Sequence, residues 1–156
     1  MGNITFVMLK PDTIEKQLTY KILDYFLQNG ISIDYFDVQI ADETKISLHY
    51  AEHFGKLGKT FANKTLKYFV GKTIVPMVLK GGEDIIDKVR AIVGATEPLK
   101  AEKGTIRCDL GCNDSFELAK IECRPVKNLI HASDNAQNVT REIKIWLPEY
   151  KFNNEI

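Results

Sequence analysis

Residues 4–13, ITFVMLKPDT, run from an apolar segment straight into a helix start, and the turn between them holds no glycine. The run 4–10 reads as a short strand that ends at Lys10-Pro11. Asp12 or Thr13 can then cap a helix. A doubly wound parallel sheet that binds a dinucleotide carries a glycine-rich phosphate fingerprint at this first turn. The stretch KPDT lacks it, so the turn argues for a different plan.

Outward from that turn, Ile14, Leu18, Ile22 and Phe26 recur at helical spacing, and Asn29-Gly30 stops the helix. Residues 31–40 alternate as a strand. Asp42 opens a helix through Tyr50, and 61–70 reads as another. Residues 73–79 form a strand whose Pro76 removes a ladder donor, which places it at an edge or bulge. Residues 83–93 are an amphipathic helix closed by Gly94. A long irregular region, 95–127, leads to the apolar LIHA. A last helix carries Ala136, Val139, Ile143, Trp146 and Leu147 on one face. The order resembles a split β-α-β unit repeated twice. That predicts an α+β fold: a ferredoxin-like α/β sandwich with a four-stranded antiparallel sheet and helices on one face.

The whole chain, 156 residues, is expected to be a single domain over 1–156. Its formal net charge is zero, so no specific nucleic acid or acidic membrane is expected as a partner. The opening MGNITFVMLK is not a signal peptide, and its Met-Gly start lacks the Ser or Thr of a myristoylation signal at position 6. No apolar run is long enough to span a bilayer. Three cysteines without a secretory signal point to reduced thiols and a cytoplasmic protein. All four arginines (Arg90, Arg107, Arg124, Arg141) lie in the second half, and arginine suits phosphate oxygens.

Two stretches ending in Gly-Lys-Thr, at 58–60 and 71–73, lack the earlier glycine of a phosphate loop; His53 and Leu66 stand there. Cys108, Cys112, Cys123 and His131 could in principle hold zinc, but they lack the tight opening pair of structural sites, so inert thiols are expected. His49 and His53 fall in a polar helical stretch and read as surface groups. His131 sits in NLIHASDN (128–135), where a core histidine and a reactive one are both open readings. Ser133 or Asp134 can cap the following helix, and Glu142 lies where it can orient a neighbour. A neutral imidazole facing amides and guanidinium groups can attack phosphorus.

At this point the sequence resembles the nucleoside diphosphate kinase family over nearly its whole length. NLIHASDN resembles the family's N-x-x-H-G-S-D signature, and TFVMLKPD (5–12) its opening strand and turn. His49-Tyr50 resembles its His-Tyr pair. RAIVGATEP (90–98), GTIR (104–107) and REIKIWL (141–147) resemble further segments in the family's order. The resemblance implies transfer of a γ-phosphate from a nucleoside triphosphate to a nucleoside diphosphate, by ping-pong turnover through a phosphohistidine at His131. It implies that Ser133 and Glu142 orient that histidine, and that Lys10 and Asn128 meet sugar hydroxyls and nearby phosphate oxygens. Tyr50, Arg90, Thr96 and Arg107 match the phosphate-binding set, and Phe61 the aromatic that covers the base. Mg²⁺ would arrive on the nucleotide, with Asp134 steadying one of its waters. A homo-oligomer is also implied. The rival is an inactive nucleotide-binding or interaction module of the same fold. The sequence departs from the family at Ala132, where a glycine is usual, and at Thr65, where a small or apolar residue is. It also carries an insertion around 111–124, whose FELAKIECR is expected to form an extra hairpin or strand.

Overall fold

The computed structural model describes residues 3–152; Met1-Gly2 and the last four residues lie outside them. The chain begins with β1 (Ile4–Leu9), followed by α1 (Pro11–Glu15) and α2 (Thr19–Gln28). The single expected helix is thus two, broken where Gln17 takes φ 56°. Lys10 is the residue before α1, and neither Asp12 nor Thr13 caps it. Next come β2 (Ser32–Phe36), β3 (Gln39–Ile40), α3 (Glu43–His49) and α4 (Ala51–Phe69). Asp42 caps α3 as expected, accepting from the Lys45 amide at 2.9 Å. Helix α4 starts ten residues before its predicted position and kinks at Gly58 (φ 78°), a conformation that favours glycine.

After β4 (Thr73–Lys80) and α5 (Ile85–Val93), the region expected to be irregular holds a 3-10 turn at Pro98–Lys100, α6 (Ile106–Leu110) and α7 (Phe116–Ile121). Segment 116–121 is therefore helix, not a hairpin or strand. Ser115 supplies its start by accepting from the Leu118 amide at 3.1 Å. The chain closes with β5 (Ile130–Ala132) and α8 (Ala136–Trp146).

The sheet runs β2-β4-β1-β5 with antiparallel neighbours, and β3 pairs β4 off that path. This is the ferredoxin-like order. Strand β4 is central rather than an edge. The Pro76 carbonyl accepts from the Asp37 amide between β2 and β3. Since N and C=O of one strand residue point the same way, the missing N–H faces the gap in that ladder. Helices cover both faces, not one. Val7, Leu9, Met77 and Leu79 join α2 and α5 in one core; Phe6, Met8, Ile74 and Val78 join α3, α4 and α8 in the other. The apolar run Phe6–Leu9 of β1 was the sign of burial on both sides. No helix among the described residues is long and apolar enough to cross a membrane.

Candidate active site

Strand β5 pairs with β1 so that His131 lies opposite Met8 and Ile130 opposite Leu9. Alternation along the strand sends Ile130 into the core beneath α5 and turns His131 to the other face, beside the Phe6 ring. There it lines a cleft of about 600 Å³. It is not a packed core residue; its side chain is 23% exposed.

Helix α8 supplies the partner. Its cap is Asn135, which accepts from the Asn138 amide at 2.8 Å; neither Ser133 nor Asp134 caps it. Asp134 instead accepts from the side-chain amides of Asn135 and Asn138. Ser133 is freed to donate its hydroxyl to Glu142 Oε2. The same oxygen lies 2.9 Å from His131 Nε2. A neutral ring donates its Nε2–H to a carboxylate placed there, which leaves the lone pair on Nδ1. Burial, then Lys10 and Arg107, holds the His131 pKa well below the ordinary 6.5, so the ring stays neutral at neutral pH. Burial raises the Glu142 pKa, against the opposing pull of His49 and the Ser133 hydrogen bond.

His49 corrects the sequence reading. It is 4% exposed rather than a surface group. Its Nδ1 accepts from the Trp146 indole N–H at 3.1 Å, and its ring meets the His131 ring edge-on at 4.4 Å. His53 is exposed at the cleft, as expected.

The opposite wall is built from backbone. Lys10 is nearly buried, donates to Asn128 Oδ1 at 2.7 Å, and has its pKa lowered to about 7, by burial first and then Arg107. Asn128 Nδ2 donates to the Thr96 carbonyl at 2.8 Å. Leu129 takes φ 69°, a strained conformation for a branched residue. It is held there by its amide on Asp12 Oδ2 and its carbonyl under the Lys10 amide and the Thr13 hydroxyl. Asp12 is thus an anchor, also accepting from the Tyr68 hydroxyl at 2.7 Å.

The two expected arginines differ. Arg107 is 8% exposed and donates to the carbonyls of Gly94, Asn128 and Ile130. Arg90 is exposed at the cleft, and its guanidinium has no hydrogen-bond partner among the described residues. Arg141, not foreseen for the site, binds the Leu48 and His49 carbonyls and Glu142. Tyr50, Thr96 and Asp134 also line the cleft, as does Phe61 on α4. Ala132 has no positive φ, so its methyl fits where the family uses glycine.

The cysteines do not assemble with His131. All three are free, and Cys112 accepts from Lys16 at 3.3 Å on the surface. Among the described residues, the one His/Cys/carboxylate group close enough to share a cation is His49, His131 and Glu142, within 4.8 Å. The Trp146 bond and the His131–Glu142 bond already occupy it.

A family model of nucleoside diphosphate kinase matches residues 3–152. The nucleoside diphosphate kinase of Clostridium perfringens is 37% identical over 145 residues, covering 93% of this chain and 91% of that one. That of Methanosphaera stadtmanae is 35% identical, covering 97% and 90%. A solved transition-state mimic of nucleoside-diphosphate kinase from Borrelia burgdorferi, with bound vanadate and ADP, superposes with TM-score 0.87 at 30% identity, covering 97% and 94%. An NDP kinase from Pyrobaculum aerophilum superposes with TM-score 0.81 at 30% identity, covering 93% and 95%.

Proposed function

Because the chain belongs to the nucleoside diphosphate kinase family, whose members move phosphate between nucleotides, we propose that His131 carries the phosphate in this enzyme. The single observation behind the assignment is the state of its ring: Nε2 is engaged by Glu142, and Nδ1 keeps its lone pair beside the cleft. The Nδ1 pair attacks the γ-phosphorus of a nucleoside triphosphate. A nitrogen–phosphorus bond forms, the bond to the bridging oxygen breaks, and the diphosphate leaves with that oxygen. No proton has to move, because the ring begins neutral. The reverse step on a second diphosphate completes ping-pong turnover.

Glu142 holds the ring and gains from the charge that develops on it, while Ser133 fixes the carboxylate. Lys10, Arg90 and the free N–H groups of Arg107 face the phosphate oxygens, with Tyr50 and Thr96 beside them. Asn128 and Lys10 meet the sugar. Phe61 covers the base, and stacking on a ring accepts any base.

Nucleoside diphosphate kinases use a divalent cation, and here we take it to be Mg²⁺ brought by the nucleotide. Asp134 fits that role: its carboxyl is held ionised, by Asn138 first, and it stands exposed at the cleft. One carboxylate suits a hydrated Mg²⁺ bound mainly through phosphates. Bound there, the cation would neutralise phosphate charge.

Residues 1–156 form one domain in this reading. A homo-oligomer is supported by the edge strand β2 and its continuation, which expose Phe36, Val38 and Ile40. The free thiols fit the cytoplasm. The inactive-module alternative is not favoured. Incubation with ATP and TDP yields ADP and TTP; failure of that exchange in folded protein refutes the activity.

A further inference from the structure

We propose that Phe116, carried on the inserted segment, is a second base-covering residue, so that a nucleobase lies between its ring and Phe61. This rests on the reading that the cleft takes a nucleotide. Phe116 is the first residue of α7, is 55% exposed, and lines the cleft together with Leu57 and Phe61 of α4 and with Val126. An aromatic left open to water at a cleft wall is a stacking surface waiting for a flat partner.

Its position is fixed rather than loose. The Phe116 amide donates to Glu97 Oε1 at 3.2 Å. Just before it, Asp114 takes both Arg124 terminal nitrogens at 2.7 and 2.9 Å and the Lys127 amide at 2.6 Å. The Asp114 carbonyl accepts from the Leu99 amide at 3.1 Å. The insertion is thereby pinned to the segment that presents Thr96, and little ordering is left to be done on binding. The ligand class follows from the division of the cleft. Lys10 and Arg107 surround His131, so phosphates belong at that end; the rings of Phe61 and Phe116 leave the apolar end for the base.

Leu118 and Ile121, the other exposed apolar residues of α7, do not line the cleft and serve as controls. The test is steady-state transfer from ATP to GDP or CDP by wild type, Phe116→Ala, Phe116→Trp and Leu118→Ala. Phe116→Ala should raise the KM for GDP roughly tenfold, and for CDP by less, with kcat within about twofold of wild type. Phe116→Trp should keep the wild-type KM, and Leu118→Ala should match wild type. Unchanged KM in an active Phe116→Ala enzyme, an equal rise in Leu118→Ala, or a change of assembly in sedimentation in place of a change in KM overturns the assignment. Each of these failures leaves wild-type transfer intact, whereas an inactive wild type strikes the underlying reading of the cleft.

Discussion

At the inner end of the cleft, the part-exposed His131 and buried Ser133 are hydrogen-bonded to Glu142, and the His131 ring rests against His49, which Trp146 holds from below. At the outer end, the half-buried Phe61 and the exposed Phe116 both line the cleft. The first arrangement fixes one ring in one tautomer and one orientation. The second offers apolar surface without hydrogen-bond direction. A transfer enzyme that serves many nucleotides needs both: strict placement of the reacting nitrogen and tolerance toward the base. Changes at the inner end should therefore act on kcat and stability, and changes at the outer end on KM.

The sharpest break is Glu142→Ala. It releases the His131 ring and leaves the Ser133 hydroxyl without its acceptor. Loss of orientation should lower kcat about 10²-fold, while KM for nucleotides changes little. A rise in KM at constant kcat would place Glu142 outside the chemistry. Next is Trp146→Phe, which keeps an aromatic ring but deletes the pyrrole part of the indole, and with it the N–H given to His49. A buried acceptor left unpaired costs about 1–3 kcal/mol, and thermal unfolding should fall by roughly 2–4 °C for each kcal/mol. An unchanged melting temperature would show that the indole bond adds nothing.

The pH profile separates two groups within the phosphate-binding end. An ordinary histidine would gain its proton as pH fell through 6.5. Burial and the nearby cations push the His131 pKa well below that value in the free enzyme, so kcat/KM should hold as pH falls through 6.5 and drop only in more acid solution. Lys10 behaves in the opposite sense. With its pKa near 7 in the free enzyme, it loses positive charge as pH rises through that value, and KM should climb. Flat KM from pH 6 to 9 would remove Lys10 from substrate binding. The smallest effect is expected of Asp114→Asn, which weakens the tether of the insertion: a modest rise in KM with kcat unchanged.

Much of the inner end was legible in the sequence, because residues near in the chain share its work. His131 and Ser133 lie two positions apart, and Glu142 falls on the turn of α8 that returns over them. What was missed involves partners far apart in sequence. His49 read as polar surface, although Ile46, His49 and Tyr50 have the spacing of one helix face; its bond to Trp146 spans 97 positions. Asp12 read as a helix cap because nothing local announces Tyr68 or Leu129 as its partners. The strained Leu129 has no glycine to mark it. In the insertion, Ser115 at a helix start was the available signal, and the short FELAKI run offers too few turns for a periodicity. The burial of β1 on both faces was visible in the apolar run Phe6–Leu9, yet the expectation of helices on one face passed over it.

Turnover here passes, in the reading above, through a nitrogen–phosphorus bond on one residue. Protein incubated with γ-labelled ATP, freed of nucleotide and denatured, should carry label that survives alkali, is lost in acid, and passes to added diphosphate before denaturation. Mass analysis should place it on His131, and His131→Ala should take up none. Transferable label that persists in His131→Ala, or that maps to another residue, would remove His131 as the phosphate carrier.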